Sequence, residues 1–270
     1  MPEVNSYPRF FAPKTIHPDC PLFVFLPGMD GTGQLLRTQT DDLEKCFDVR
    51  CLVLPQDDWR DWDSLSRACL DLIEQEQVHR PHRPVYLCGE SFGGCLALKV
   101  ALREPKLFER IILVNPASSY RRRPLFHCAA RFTRWMPESL YRSSALGLLP
   151  FLSALGCIAP SDRRTLFDAM KSVPPKTVYW RLSLLEVFEV SEEELSRLTQ
   201  PVLLVASAAD RLLPSVAEAK SLASALPNSQ LVVLPNSGHT CLLEKEMDLS
   251  EILNSQNFLE FEAAQKLLTS

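Results

Sequence analysis

The sequence predicts an α/β fold, a doubly wound and mostly parallel sheet with an inserted helical cap, on three observations. Short runs rich in Val, Leu and Ile recur at residues 22–26, 49–54, 85–88, 111–114, 202–205 and 231–234, and they are apolar throughout rather than alternating, as strands buried on both faces are. Helical patterns stand between them. The strand–helix alternation then stops from Ala117 to about Val190, where the pattern turns helical and no strand candidate appears.

Taken in order, residues 64–77 carry Leu65, Cys69, Leu72 and Ile73 at helical spacing, residues 93–103 are rich in Ala and Leu, and residues 216–226 form a third helix. Ser191 followed by Glu194 is a capping-box spacing that opens a helix just before the strand at Val202. The expected division is therefore a core of residues 1–116 and 191–270 with a cap of residues 117–190. A last helix over residues 249–268 is expected to close the outer face of the sheet.

Composition narrows the function classes. A chain of 270 residues with 46% apolar and 23% charged residues suits one substantial core with an insertion. A net charge of -4 gives no global reason to expect a nucleic-acid partner. The nine cysteines are odd in number, and Cys51 and Cys88 lie inside apolar runs where a reduced thiol packs as a small hydrophobe, which predicts a reducing compartment. The first twenty residues lack the basic-then-apolar pattern of a targeting peptide, so a cytoplasmic location is expected. The longest apolar stretch, residues 145–160, contains two glycines and Pro150 and falls short of the roughly 20 residues that span a bilayer. Paired C-x2-C spacing is absent and the histidines are scattered, so neither metal nor cofactor is expected.

A serine hydroxyl becomes a competent nucleophile only beside a base, with an oriented imidazole and donors for the oxyanion. In LCGESFGG the run 85–88 leads directly into Gly89-Glu90-Ser91-Phe92-Gly93 and then a helix, the context that makes G-x-S-x-G a nucleophile elbow of the α/β-hydrolase fold. Seven of the nine glycines sit in three loops that each follow a predicted strand: Gly28, Gly31 and Gly33; Gly89, Gly93 and Gly94; and Gly238 beside His239. Those loops lie at the carboxyl ends of the strands, where open α/β sheets bind ligands. The loop FLPGMDGTGQL offers the Met29 N–H, with Asp30 as the neighbouring alternative, to complete an oxyanion hole with the Phe92 N–H. Read instead as a phosphate loop, PGMDGTG lacks the Gly-Lys-Ser/Thr ending and places an aspartate against the phosphate.

In this fold the acid precedes the histidine in chain order, each at the end of a late strand. Asp210 follows the run 202–205 and His239 follows the run 231–234. His79 and His82 precede a strand and so belong to the opposite edge, His17 is near the N-terminus and His127 is in the cap. After Val114, where a rival acid would stand, are Asn115 and Pro116.

From Ala117 to Arg164 eight arginines (121, 122, 123, 131, 134, 142, 163 and 164) face only Glu138 and Asp162, a local charge of 8 − 2 = +6. Phe126, Phe132, Trp135, Leu146, Leu148, Leu149, Phe151 and Leu152 are interleaved with them. One reading makes these the cap's own core and solvated face. The other is an acyl tunnel beneath a face that meets anionic membrane or an acidic acyl carrier.

With these residues placed, PGMDGTG, GESFGGCLALKVA and ILVNPAS together resemble the hydrolase half of the plastid esterase/lipase/thioesterase-type acyltransferases, the phytyl ester synthases, over roughly residues 22–239. The resemblance implies Ser91, Asp210 and His239 as serine, acid and histidine, and acyl chemistry on phytol, acylglycerols, galactolipids or acyl thioesters. Neither a transit peptide nor the His-x4-Asp motif of a following acyltransferase domain is found, so the expectation is a compact, stand-alone form of cyanobacterial type. The function expected is cleavage of lipid-like esters or thioesters through an acyl-Ser91 intermediate. Acyl transfer to phytol or diacylglycerol is the alternative within this class. A non-catalytic lipid-binding or assembly protein on the same fold is the alternative outside it.

Overall fold

The computed structural model describes residues 7–78, 80–122 and 156–259. Its elements in order are β1 (Arg9–Phe11), β2 (Leu22–Leu26), α1 (Thr40–Leu43), β3 (Asp48–Val53), α2 (Trp62–Gln77), β4 (Val85–Glu90), α3 (Phe92–Arg103), β5 (Arg110–Val114), α4 (Pro160–Ser172), α5 (Pro175–Glu186), α6 (Glu192–Ser196), β6 (Val202–Ser207), α7 (Ser215–Ala225), β7 (Ser229–Leu234) and α8 (Leu249–Ser255). The strands form one sheet in the order β1-β3-β2-β4-β5-β6-β7, parallel except for β1, which runs antiparallel to β3. Every residue of β2, β4 and β6 is buried. That two-sided burial is why the runs read as unbroken apolar stretches rather than alternating ones.

Side chains of alternate parity feed two cores, one on each face. Leu22, Val24, Leu26, Leu87 and Leu204 share one with α2, α3 and α5, while Phe23, Phe25, Tyr86 and Val205 share the other with α8. The strand order reverses between β2 and β4, which are paired from Leu22↔Val85 to Leu26↔Gly89. The loops leaving the carboxyl ends of these two neighbours therefore meet at a topological switch point.

Two expectations are revised. The edge strand β1 was not expected: three residues with no alternation to speak of leave no periodic signal. The last helix was expected to run over residues 249–268, but α8 stops at Ser255. Asn257 takes φ 52°, its N–H donates to Asn254 O (3.0 Å) and the Phe258 N–H donates to Leu253 O (2.8 Å). Those paired bonds are a Schellman stop, and Phe258 packs into the core beyond it. The capping box at Ser191 and Glu194 is present as expected, opening α6. Between β5 and β6 the described residues form helices α4, α5 and α6. Residues 123–155, which carry much of the predicted cap and four of the eight arginines counted over 117–164, lie outside the described residues, as do 260–270.

Candidate active site

Ser91 stands between the end of β4 and the start of α3 with φ 53° and ψ −114°. A non-glycine residue in this region is strained by about 1–3 kcal/mol and persists only where its surroundings enforce it. The enforcement is visible. The Ser91 N–H donates to Val114 O (3.0 Å), and its carbonyl accepts from Gly94 N (3.0 Å) and Ala117 N (3.1 Å). A Cβ on Gly93 would lie 2.0 Å from the Leu26 carbonyl oxygen, so α3 crosses β2 at a distance only glycine permits. The turn lifts the Ser91 side chain to the carboxyl edge of the sheet at the positive end of the α3 dipole.

The structure brings all three residues of the expected triad together. Ser91 Oγ is 2.8 Å from His239 Nε2, and His239 Nδ1 is 2.7 Å from Asp210 Oδ2. Asp210 is fixed from several sides. Its Oδ1 accepts from the N–H groups of Leu212 (2.8 Å) and Leu213 (2.9 Å), and its Oδ2 also accepts from Ser215 Oγ. Burial alone would raise its pKa, but the hydrogen bonds from His239, Ser215 and the backbone outweigh burial and hold the carboxyl below its usual range. Asp210 is thus an anion facing the imidazole.

Two buried residues that the sequence reading passed over hold the histidine loop. Asn115, at the end of β5, takes φ 43° and donates through Nδ2 to His239 O (2.8 Å) and Ser207 Oγ (2.9 Å). Its Oδ1 accepts from Ser207 N (2.8 Å), so one side chain joins the end of β6 to the loop after β7. Glu244 accepts the Gly238 N–H at 2.8 Å from behind. The signal for Asn115 is the Asn-Pro pair directly after a buried strand, a turn-initiating dipeptide at the edge where sites form.

The loop after β2 passes alongside the serine, since a Cβ on Gly28 would sit 3.7 Å from Ser91 Cβ. Gly31 N–H donates to Gly28 O (3.1 Å), closing a turn around Met29 and Asp30. Phe92 opens α3, where a helical N–H has no intrahelical acceptor. Its amide and that of Met29 make no hydrogen bond among the described residues, which leaves both available to an incoming oxygen. The Asp30 side chain folds back on Thr32, its Oδ2 accepting the Thr32 N–H at 2.9 Å and the Thr32 hydroxyl.

Glu90, immediately before the serine, is buried with neither carboxyl oxygen hydrogen-bonded. Burial, helped by the nearby Asp30 carboxylate, pushes its pKa from 4.5 to about 8. Between these values the folded chain keeps a proton that the unfolded chain has released. Stability therefore falls as pH rises through that window, by about 1.4 kcal/mol per unit, and levels off above pH 8. Glu90→Gln is expected to remove this slope, raising the unfolding midpoint at pH 8 and leaving it unchanged at pH 4. Urea titrations across pH 4 to 9 check this, and parallel wild-type and variant curves would refute it.

Of the cap arginines with described side chains, Arg121 pairs with Glu189 (3.1 Å), Arg163 Nε donates to Ile158 O (3.0 Å) and Arg164 faces Asp168 (3.8 Å). Among the described residues no cluster of His, Cys, Asp and Glu could hold a metal, and no helix is long and apolar enough to cross a membrane.

Comparison with known proteins bears on the fold and the family. The family described as serine aminopeptidase, S33 (Hydrolase_4) matches residues 56–246. Phytyl ester synthase 1, chloroplastic, of Arabidopsis thaliana is 34% identical over 91% of this chain and 38% of its own length. The chain thus spans well under half of that relative. Pimeloyl-[acyl-carrier protein] methyl ester esterase of Nitrosomonas europaea is 30% identical over 66% of this chain and 75% of that protein. Among solved structures, the enol-lactonase from Burkholderia xenovorans LB400 superposes with a TM-score of 0.74 at 17% identity, over 97% of this chain and 96% of that one, a likeness of fold.

Proposed function

The chain belongs to the serine aminopeptidase S33 (Hydrolase_4) family of α/β-hydrolases and is an enzyme of serine-hydrolase type, and on that footing we propose that it cleaves carboxylic esters or thioesters of lipid-like acyl groups through an acyl-Ser91 intermediate. The observation that carries this reading is the continuous hydrogen-bonded chain from Ser91 Oγ through His239 to Asp210, at 2.8 and 2.7 Å.

In the proposed mechanism His239 Nε2 takes the hydroxyl proton as Ser91 Oγ attacks the carbonyl carbon. The Met29 and Phe92 N–H groups receive the oxyanion, aided by the α3 dipole. As the tetrahedral adduct collapses, His239 returns the proton to the departing alkoxide or thiolate, and Ser91 keeps the acyl group. Water, activated by the same imidazole, then attacks the acyl-enzyme and releases the acid. Asp210 orients the ring and stabilises the imidazolium formed in each half. Met29, Trp62 and Phe92 belong to the apolar cluster beside the site, and the names of the two curated relatives point to phytyl and acyl-carrier esters. An alcohol such as phytol or diacylglycerol in place of water makes the same site an acyltransferase. The net charge of +6 carried by the sequence stretch 117–164 suits an anionic membrane or an acidic acyl carrier as a partner.

The test is a chain-length series of p-nitrophenyl esters and matched thioesters, run with and without phytol or diacylglycerol. Turnover is expected to rise with acyl length beyond acetyl, and a phytyl or triacyl ester among the products identifies transfer. A flat or falling series would remove the lipid-like substrate class, and no turnover of any ester or thioester would remove the proposal.

A further inference from the structure

Helix α5 touches the loops around the site with one face. Thr177, Trp180, Arg181 and Leu184 recur at i, i+3, i+4 and i+7, and each is hydrogen-bonded outside the helix. Thr177 Oγ1 donates to Gln56 O, and Trp180 Nε1 donates to Arg60 O at 3.1 Å. Arg181, only 3% exposed, donates through Nη1 to Met29 O (2.6 Å) and through Nη2 to Pro55 O (3.2 Å). Leu184 O accepts from Trp62 Nε1 at 2.8 Å, and the Trp62 ring stacks on Phe92 with centroids 4.8 Å apart. One helix face therefore reaches Met29 directly and Phe92 through a single aromatic ring. Gly31 completes the arrangement. It stands at φ +67°, and a Cβ there would lie 2.6 Å from Arg181 Nη1, so the loop gives up a side chain exactly where the guanidinium presses on it.

We propose that Arg181 is a positioning residue for the oxyanion hole, anchoring the turn at the Met29 carbonyl so that the Met29 N–H, in the preceding peptide, faces the carbonyl attacked by Ser91. This rests on the reading of Met29 and Phe92 as the oxyanion donors. The turn bond from Gly31 N to Gly28 O fixes the peptide before Met29 Cα, and the buried guanidinium on Met29 O fixes the peptide after it. The Met29 N–H lies in the first of these planes, and Arg181 ties the turn that carries it to α5 through the second. Without Arg181 the second plane is free to flip and the turn loses that tie, so the donor is held by the Gly31–Gly28 bond alone and is less well aimed before the reaction begins. A donor aimed in advance stabilises the transition state more than the ground state.

The experiment compares the wild type with Arg181→Met and Arg181→Lys in the full chain. The readouts are kcat, KM, the Ki of a trifluoromethyl ketone, whose adduct with the serine carries the oxyanion, and the Ki of a product carboxylate. Removing an oxyanion donor outright lowers kcat by about 10²–10³-fold, and misaiming one is expected to lower it by about 10–100-fold. Arg181→Met should show that loss with KM and carboxylate Ki within about 3-fold of wild type, and the ketone Ki should weaken by the same factor as kcat. Arg181→Lys, which keeps a cation able to reach Met29 O, should recover part of both. If Arg181→Met does not fold, the matched change in kcat and ketone Ki is read from Arg181→Lys alone. An unchanged kcat, a rise in KM alone, or a loss of kcat without loss of ketone affinity would overturn the proposal. A wild type that neither binds the ketone nor labels at Ser91 would instead overturn the acyl-enzyme reading, so the two failures are distinguishable.

Discussion

Ser91→Ala is expected to lower kcat on ester substrates by roughly 10⁴–10⁶-fold and to abolish labelling by a fluorophosphonate probe, with the unfolding midpoint little changed. The small effect on stability follows from what the hydroxyl does. It contributes one hydrogen bond, to His239 Nε2, while the ring stays tied to Asp210 and the loop carbonyl stays tied to Asn115. The backbone of the turn is held by Val114, Gly94 and Ala117 through main-chain bonds that alanine retains. The loss of activity is large because no neighbouring group can form the covalent intermediate in its place. Stopped assays with p-nitrophenyl esters, gel detection of the probe and thermal unfolding settle the point together. Wild-type turnover by the alanine variant would refute the assignment of Ser91.

What could be read from the sequence, and what could not, divides along the line between local and non-local cause. The runs at β2, β4, β5 and β6 are legible because a strand buried on both faces must be apolar at every position. The elbow is legible because Gly89 and Gly93 answer to steric demands within a few residues of Ser91. Asn115 and Arg181 are different. The role of Asn115 depends on β5 lying beside β6, which brings Ser207 and His239, 92 and 124 residues away, within reach of its amide. Arg181 stands in the predicted cap, a region rich in arginines, and nothing in the neighbouring sequence marks its guanidinium as buried. Its partner Met29 is 152 residues distant and is bound through a backbone carbonyl, which leaves no trace in residue type. The early stop of α8 escaped for a similar reason, since asparagine at the left-handed position carries a weaker signal than glycine.

Asp210→Asn is expected to lower kcat by about 10⁴-fold at neutral pH while keeping the geometry of the site, and the hydrogen bonds of the carboxylate say why. Oδ1 accepts two backbone N–H groups, from Leu212 and Leu213, and these can be satisfied only by an oxygen. In the amide variant the carbonyl oxygen must take that place, which turns the NH2 toward the position of Oδ2, facing His239 Nδ1. Ser215 Oγ, a donor to the carboxylate, can rotate to accept from the amide instead, so nothing opposes this orientation. An NH2 group at 2.7 Å from Nδ1 forces that nitrogen to accept, and the ring proton moves to Nε2. The nitrogen facing Ser91 Oγ then carries a hydrogen and cannot receive one. The base is lost by a change of tautomer, with no atom displaced by more than a fraction of an ångström. Two consequences separate this from loss of folding: the variant should retain wild-type affinity for a product carboxylate, and its proton NMR spectrum should lose the downfield signal of an Nδ1–H bonded to a carboxylate. Asp210→Glu, whose longer side chain keeps the acceptor character but not the two backbone bonds, should fall between wild type and Asp210→Asn. An Asp210→Asn variant with kcat within 10-fold of wild type would show that the orientation of His239 is secured by groups other than Asp210.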